Sequence, residues 1–313
     1  MSRVTKDQKA GLEFGKKACS QTEKFIMSVC AMILKISLQI KKIIKLVVPP
    51  VLVKMANHLR LHHFENVDAR TGNYGSWQEA RRATTGYDAD NIFNKVRDAS
   101  LKVKKGEAVY ERDSVLFDKI EYVYPVIAVL LRAAVADEGK LSVLDFGGSL
   151  GTSYYQSRGY LSKLKHLRWN IVEQEKFVTY GKELFEDDIL KFYYNIGECL
   201  RIEKPHVALI AGVLPYLEKP FQLIEILLSH NFHYIVIDRT NVLENTPTRL
   251  TVQKVPPSIY EASLPCWIFN EKQLLKSFEK NYRLLGDFES YPGSVIDLGS
   301  EYAKYKGYIF EQR

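Results

Sequence analysis

Residues 142–154 read Ser-Val-Leu-Asp-Phe-Gly-Gly-Ser-Leu-Gly-Thr-Ser-Tyr. An apolar run leads into Asp145, and Gly147, Gly148 and Gly151 follow at once. That pattern predicts a buried parallel strand ending in a tight turn that opens a helix. Glycines there admit φ > 0 and let the backbone approach a ligand closely. A loop built to hold phosphate keeps negative charge away from its anion. Here a carboxylate stands two residues before the first glycine. We therefore expect it to point into a site whose ligand is cationic or neutral at that place. A strand–turn–helix with no ligand is the bland alternative.

A second apolar run, Trp169 to Val172, ends in Glu173. An acid at the tip of a second strand is placed to accept hydrogen bonds from ribose hydroxyls. The spacing Gly-Gly-x-x-Gly does not satisfy the Gly-x-Gly-x-x-Gly fingerprint of dinucleotide-binding domains. Downstream, strand and helix alternate. Leu190–Tyr194, His206–Ala211 and Tyr234–Asp238 read as strands three to five. Pro220–Leu228 reads as an amphipathic helix, and Asn270 as the cap of a helix running to about Phe278. Arg283–Phe288 and Lys306–Phe310 would close the chain as a hairpin. Upstream, Ser76 and Glu79 have capping-box spacing, and a helix is predicted from about Tyr122 to Ala136.

The motif Asp145-Phe-Gly147-Gly148-Ser149-Leu-Gly151 resembles the acid-x-Gly-x-Gly-x-Gly signature of class I S-adenosylmethionine-dependent methyltransferases, with Ser149 in place of the middle glycine. With Gly75-Ser76-Trp77-x-x-Ala80, Gly86-Tyr87, Tyr110-Glu111-Arg112-Asp113-Ser114 and Trp169-x-x-Val172-Glu173-Gln174, the chain is similar to a family of bacterial methyltransferases associated with surface-polysaccharide (O-antigen) genes. The likeness runs from about residue 70 to the end. It implies an α/β, Rossmann-like seven-stranded sheet with a C-terminal antiparallel hairpin, preceded by a helical N-terminal region.

S-adenosyl-L-methionine is the implied cofactor. Asp145, Gly147, Gly148 and Gly151 would surround its methionine part, Glu173 would hold the ribose, and Gly212 and Val213 would lie under the sulfonium. The implied reaction is O-methylation of a sugar or surface-polysaccharide precursor. The alternatives are another small molecule, a lipid, or a catalytically silent binding module.

Asp238-Arg239 ends the fifth strand. Asp238 could orient or deprotonate an acceptor hydroxyl, and Arg239 could bind an anionic group such as a diphosphate. A salt bridge anchoring the loop is the plainer reading. Glu111-Arg112-Asp113 is either a solvated ion cluster or a lid edge. Leu214-Pro215-Tyr216 lacks the amide or acid and the second proline of amino-methylating enzymes, which leaves Tyr216 a packing residue. The aromatic stretch 251–267 reads as a long loop lining the acceptor pocket.

Three regions are expected: a basic segment over 1–60, a helical cap over 61–137, and the cofactor domain over 138–313. Residues 1–62 carry twelve Lys/Arg against three Asp/Glu, whereas the remainder is nearly neutral. Over residues 24–48, Lys24, Ser28, Lys35, Gln39 and Lys42 share one helical face against Ile, Leu, Val, Met and Phe. Such a helix suits an anionic membrane surface. Packing on protein is the competing use. Its longest uncharged stretch, Phe25 to Leu34, is too short to span a bilayer. A signal peptide would need a small-residue cleavage site, and none follows. Four cysteines without paired spacing suggest a reducing, cytoplasmic setting, peripheral at most to the inner membrane face, and no metal site. No nucleic-acid partner is expected of the nearly neutral remainder.

Overall fold

A computed structural model describes residues 66–84, 89–255, 262–299 and 301–313. The basic segment 24–48 lies outside them. Among the described residues no helix is long and apolar enough to cross a membrane.

Five parallel strands form the centre: β4 (Lys140–Phe146), β5 (His166–Val172), β6 (Leu190–Tyr193), β7 (Val207–Ala211) and β8 (Tyr234–Leu243). Their order is β6-β5-β4-β7-β8. β13 (Tyr302–Gln312) adds antiparallel to β8, and β11 (Tyr282–Glu289) adds antiparallel to β13. These are the seven strands expected, with the expected C-terminal hairpin. The order in which the chain adds strands reverses between the parallel strands β4 and β7, which opens a crevice at the carboxyl ends of both.

Helices cover both faces because the central strands are apolar on both sides. Val143 and Leu141 pack with α3 (Tyr124–Ala136), α4 (Thr152–Leu161) and α5 (Glu175–Leu184). Leu144, one residue on, turns to α6 (Ile196–Ile202) and α7 (Pro220–Leu228) on the other face. Asn195 caps α6 by accepting from the Glu198 N–H at 2.8 Å, and Asn270 caps α8 (Glu271–Lys276) likewise. α1 (Trp77–Arg82) begins at Ser76, whose hydroxyl accepts from the Glu79 N–H. Glu79 reaches back to the Gly75 N–H rather than to the cap itself. α2 (Ala89–Lys105) follows.

Two expectations need correction. The stretch 61–137 is not wholly helical. It contributes β1 (Asn66–Thr71) and a two-stranded hairpin of β2 (Tyr110–Arg112) and β3 (Val115–Phe117). Stretch 251–267 is largely strand: β9 (Arg249–Lys254) and β10 (Ser263–Asn270) pair antiparallel. With β12 (Ser294–Asp297) these strands complete a closed circuit, β8-β10-β9-β1-β12-β13 and back to β8. Leu243, Ile268, Ile296, Leu298 and Ala303 form one apolar cluster of this ring. Its pairings join segments far apart in the chain, so local periodicity carries little trace of them.

Candidate functional site

β4 delivers Asp145 to the crevice, where it is 0% exposed. Trp169 on β5 donates its indole N–H to Asp145 Oδ2 at 2.9 Å. Oδ1 has no hydrogen-bond partner among the described residues. Burial pushes this carboxyl up to about 7; the Trp169 bond and the Arg239 charge oppose the rise, and Glu173 adds to it.

The carboxylate does not open onto the crevice as expected. A Cβ built on Gly148 would lie 2.5 Å from Oδ2, so Asp145 sits beneath the loop and supports it. The indole donor and the room left by a missing side chain turn it there. Trp169→Phe removes that donor and leaves a second carboxylate oxygen unpaired. We expect a loss of about 2–3 kcal/mol in urea unfolding at neutral pH; an unchanged midpoint would show that the bond contributes nothing.

The loop alternates backbone hand. Gly147, Ser149 and Gly151 have φ of 71°, 54° and 104°. Ser149 therefore occupies a left-handed position that the signature gives to glycine, at some strain. Its N–H donates to Glu173 Oε1 at 3.3 Å, and the other Glu173 oxygen accepts from the Gln174 N–H at 2.7 Å. Burial raises the Glu173 carboxyl, and these two bonds offset part of the rise. Val213 packs directly on the loop: a Cβ at Gly147 would collide with its Cγ2. The structure thus brings together Asp145, the glycines, Glu173 and Gly212-Val213, as their places at neighbouring strand tips require.

The β2–β3 hairpin closes on the same loop. Thr152, the first residue of α4, donates to Glu111 Oε1 at 2.5 Å. Glu111 is 2% exposed and its carboxyl is raised by burial, the Thr152 bond opposing. Of the two readings of this cluster, the solvated one is excluded for Glu111.

On β8, Asp238 pairs with Ala211 at the end of β7. The register against β13 shifts here: Ile237 faces Tyr308 and Thr240 faces Lys306, so Asp238 and Arg239 together oppose Gly307. This is a bulge, and Arg239 sits in it at φ 54°. The bulge aims its side chain over the tip of β7. Nη2 donates to the Ala211 carbonyl at 3.1 Å, and a Cβ at Gly212 would lie 3.3 Å from Nε.

Asp238 Oδ1 accepts from the Ser290 hydroxyl at 2.7 Å and the Arg239 N–H at 2.8 Å; Oδ2 stands 3.8 Å from Arg239 Nε. Asp238 and Arg239 therefore do form the anchoring pair, and one carboxylate oxygen stays outside the hydrogen bonds. Ser290 and Tyr291 join the site unforeseen, since the turn after β11 shows no local signal of its destination. Among the described residues no group of three His, Cys, Asp or Glu could hold a metal ion.

No protein-family model matches the chain, and no curated protein matches it. Solved structures do match. The 1,6-didemethyltoxoflavin-N1-methyltransferase of Burkholderia thailandensis, bound to S-adenosylhomocysteine, is 13% identical over 73% of this chain and 91% of its own, with a TM-score of 0.38. The magnesium protoporphyrin IX methyltransferase of Synechocystis is 13% identical over 61% and 78%, at 0.38. An S-adenosylmethionine-dependent methyltransferase of Clostridium acetobutylicum is 10% identical over 70% and 98%, at 0.41.

Proposed function

We propose that this chain is an S-adenosylmethionine-dependent methyltransferase that O-methylates a sugar or surface-polysaccharide precursor. The observation that carries the cofactor reading is the set of carboxylates around the glycine loop. Asp145 lies beneath it, Glu173 takes the Ser149 N–H, and Glu111 takes the Thr152 hydroxyl at the helix start. A pyrophosphate would meet three acids there, and the Gly147, Ser149 and Gly151 N–H groups are already bonded within the protein. A sulfonium with an ammonium group finds favourable charge, and Asp145 Oδ1 is a buried acceptor with no partner among the described residues. The residues therefore fit the group.

When bound, S-adenosylmethionine supplies an already activated methyl group. The chain's own task is alignment and exclusion of water. Gly147, Gly148 and Gly151 keep the loop thin where the ligand approaches. Glu173, just past the tip of β5, would accept from the ribose hydroxyls. Gly212 and Val213, packed against Gly147, would line the place of the sulfonium. Asp238 Oδ2, the oxygen outside the Ser290 bond, receives the acceptor's hydroxyl proton, and Arg239 steadies an anionic part of the acceptor. The sugar reading is supported by the sequence motifs that resemble polysaccharide-associated methyltransferases.

Calorimetry tests the cofactor. S-adenosylhomocysteine should bind with a Kd of about 1–100 μM, near the range typical of enzyme ligands. No heat of binding would leave the silent-module reading. Mass spectrometry of surface glycans, with and without the gene, tests the acceptor; identical methylation in both would exclude it.

A further inference from the structure

Tyr110, Arg112 and Arg239 come together at the rim where β7 and β8 end. Tyr110 packs at a tilt against Phe117 across the β2–β3 hairpin, at 5.8 Å between ring centres. Arg112 lies over Phe117 at 5.2 Å and over Tyr291 at 5.0 Å, so it ties the hairpin to the turn after β11. Ser290, beside Tyr291, accepts from the Arg239 N–H at 3.0 Å. The hairpin, the β11 turn and the β8 bulge thus hold three donors around one place.

Two of those donors are left unused. Tyr110 is 1% exposed, and its hydroxyl has no hydrogen-bond partner among the described residues. Arg239 Nε is in the same condition, with only Asp238 Oδ2 at 3.8 Å. Burial without a partner is unfavourable for both groups. Arg112 is held by ring faces, an arrangement that consumes no N–H.

Burial pushes the Tyr110 hydroxyl up to about 12, with Arg239 and then Arg112 opposing the rise, so it stays a protonated donor. Burial also opposes the Arg239 charge, but Tyr291, Asp238, Asp113 and Tyr110 together hold it above its usual range. Of the carboxylates facing the place, Asp238 Oδ1 is bound to Ser290 and Glu111 Oε1 to Thr152, while Asp238 Oδ2 stands 3.8 Å from Arg239 Nε and Glu111 Oε2 has no hydrogen-bond partner among the described residues. Asp113 is exposed at the hairpin tip.

The hairpin itself is strained. Asp113 and Ser114 take φ of 52° and 70°, the two-residue turn that favours Asn-Gly. Arg239 carries the same kind of strain in its bulge. Left-handed non-glycine residues gather where structure is held for a ligand.

We infer that this rim binds a phosphate-type oxyanion of the acceptor, with Tyr110 Oη, Arg239 Nε and the Arg112 guanidinium as donors. The inference rests on the acceptor reading above and extends it to a phosphorylated, diphosphate-bearing substrate. Donors from three side chains on two elements, rather than one planar fork, match a tetrahedral group that offers an oxygen to each.

The probe is inorganic pyrophosphate, titrated calorimetrically into the full chain. Binding is expected, with Tyr110→Phe weakening it about tenfold, the worth of one hydrogen bond at 1.4 kcal/mol per decade. The free Tyr110→Phe protein should melt no lower than the parent, because it sheds an unpartnered hydroxyl. Arg112→Gln should weaken binding by a further decade or so. Uridine diphosphate and geranyl diphosphate then separate a nucleotide-linked from a lipid-linked source, by whichever binds tighter than pyrophosphate.

Absence of pyrophosphate binding overturns the inference. So does glucuronate binding as tightly as pyrophosphate, or Tyr110→Phe lowering the melting temperature with unchanged anion affinity. S-adenosylhomocysteine is titrated separately, so a chain that binds it but not pyrophosphate loses only this inference.

Discussion

Gly148→Ala should destabilise the protein by about 2–4 kcal/mol, the range for forcing atoms into a packed interior and displacing a buried polar group. The added Cβ would meet Asp145 Oδ2 at 2.5 Å and Cγ at 2.6 Å. The carboxylate cannot retreat. The same oxygen is held by Trp169, and the Asp145 backbone is fixed in register with Ile171 on β5 and Leu209 on β7. The loop must lift instead, and the Ser149–Glu173 bond is lost with it. Gly148 does not have positive φ, so the penalty is contact alone.

Gly159 in α4 is the matched control. A Cβ there meets nothing within 4 Å. Gly159→Ala should therefore stabilise by about 0.5–1 kcal/mol, the helix preference for alanine. Urea unfolding of both variants checks the pair. Equal midpoints for Gly148→Ala and the parent would mean that the loop tolerates a side chain above the carboxylate. Binding of S-adenosylhomocysteine should be lost in Gly148→Ala and retained in Gly159→Ala.

Asp145→Asn should flatten a pH dependence that the parent shows between about pH 5 and 8. The folded carboxyl is raised to about 7, against about 3.9 in an unfolded chain. A raised acid binds more protons folded than unfolded, so its stabilising contribution is full below the unfolded value. It is lost as pH rises through the folded one. At 1.36 kcal/mol per unit, the parent should lose about 2–3 kcal/mol over that window from this group, an order-of-magnitude figure.

Glu111 and Glu173 are raised by burial too and slope the same way; His206, lowered by burial, slopes the opposite way. The comparison is therefore between parent and variant, not the parent's curve alone. Asp145→Asn can still accept from Trp169 and carries no charge, so at pH 8 it should be more stable than the parent by about 4 kcal/mol, the full rise from about 3.9 to about 7. A cationic ligand reverses the ranking. Its affinity for the parent should rise with pH through about 7 as Asp145 ionises, and Asp145→Asn should bind it weakly throughout. Parallel stability curves for the two proteins, together with equal affinities, would rule out a titrating Asp145 beneath the loop.

Much of the fold was legible in the residues because it is local. Val143-Leu144 before Asp145 and the glycines, the run from Trp169 to Val172, and the apolar segments at 206–211 and 234–238 each state their own strand. Strand–helix alternation then leaves few ways to pair them. Helices at 124–136 and 220–228 follow from apolar periodicity in the same way. The meeting of Gly212-Val213 with Gly147 was also foreseeable, since both follow strand tips that a parallel sheet brings side by side.

Contacts between distant segments were not legible. The ring that joins β1, β9, β10 and β12 to β8 and β13 is made by hydrogen bonds between backbones, and backbones are alike in every residue. Whether Asp145 faces the crevice or lies beneath the loop depended on a donor, the Trp169 indole, that only strand register places 2.9 Å away. The bulge that aims Arg239 needs Gly307 opposite it, on a strand at the far end of the chain. Sequence determined the strands and helices of the central sheet, because short-range sterics and apolar periodicity decide those; it did not reveal β1, β2, β3, β9 or β10. Tertiary structure decided which charges are buried and what they face, because burial and electrostatics depend on every segment at once.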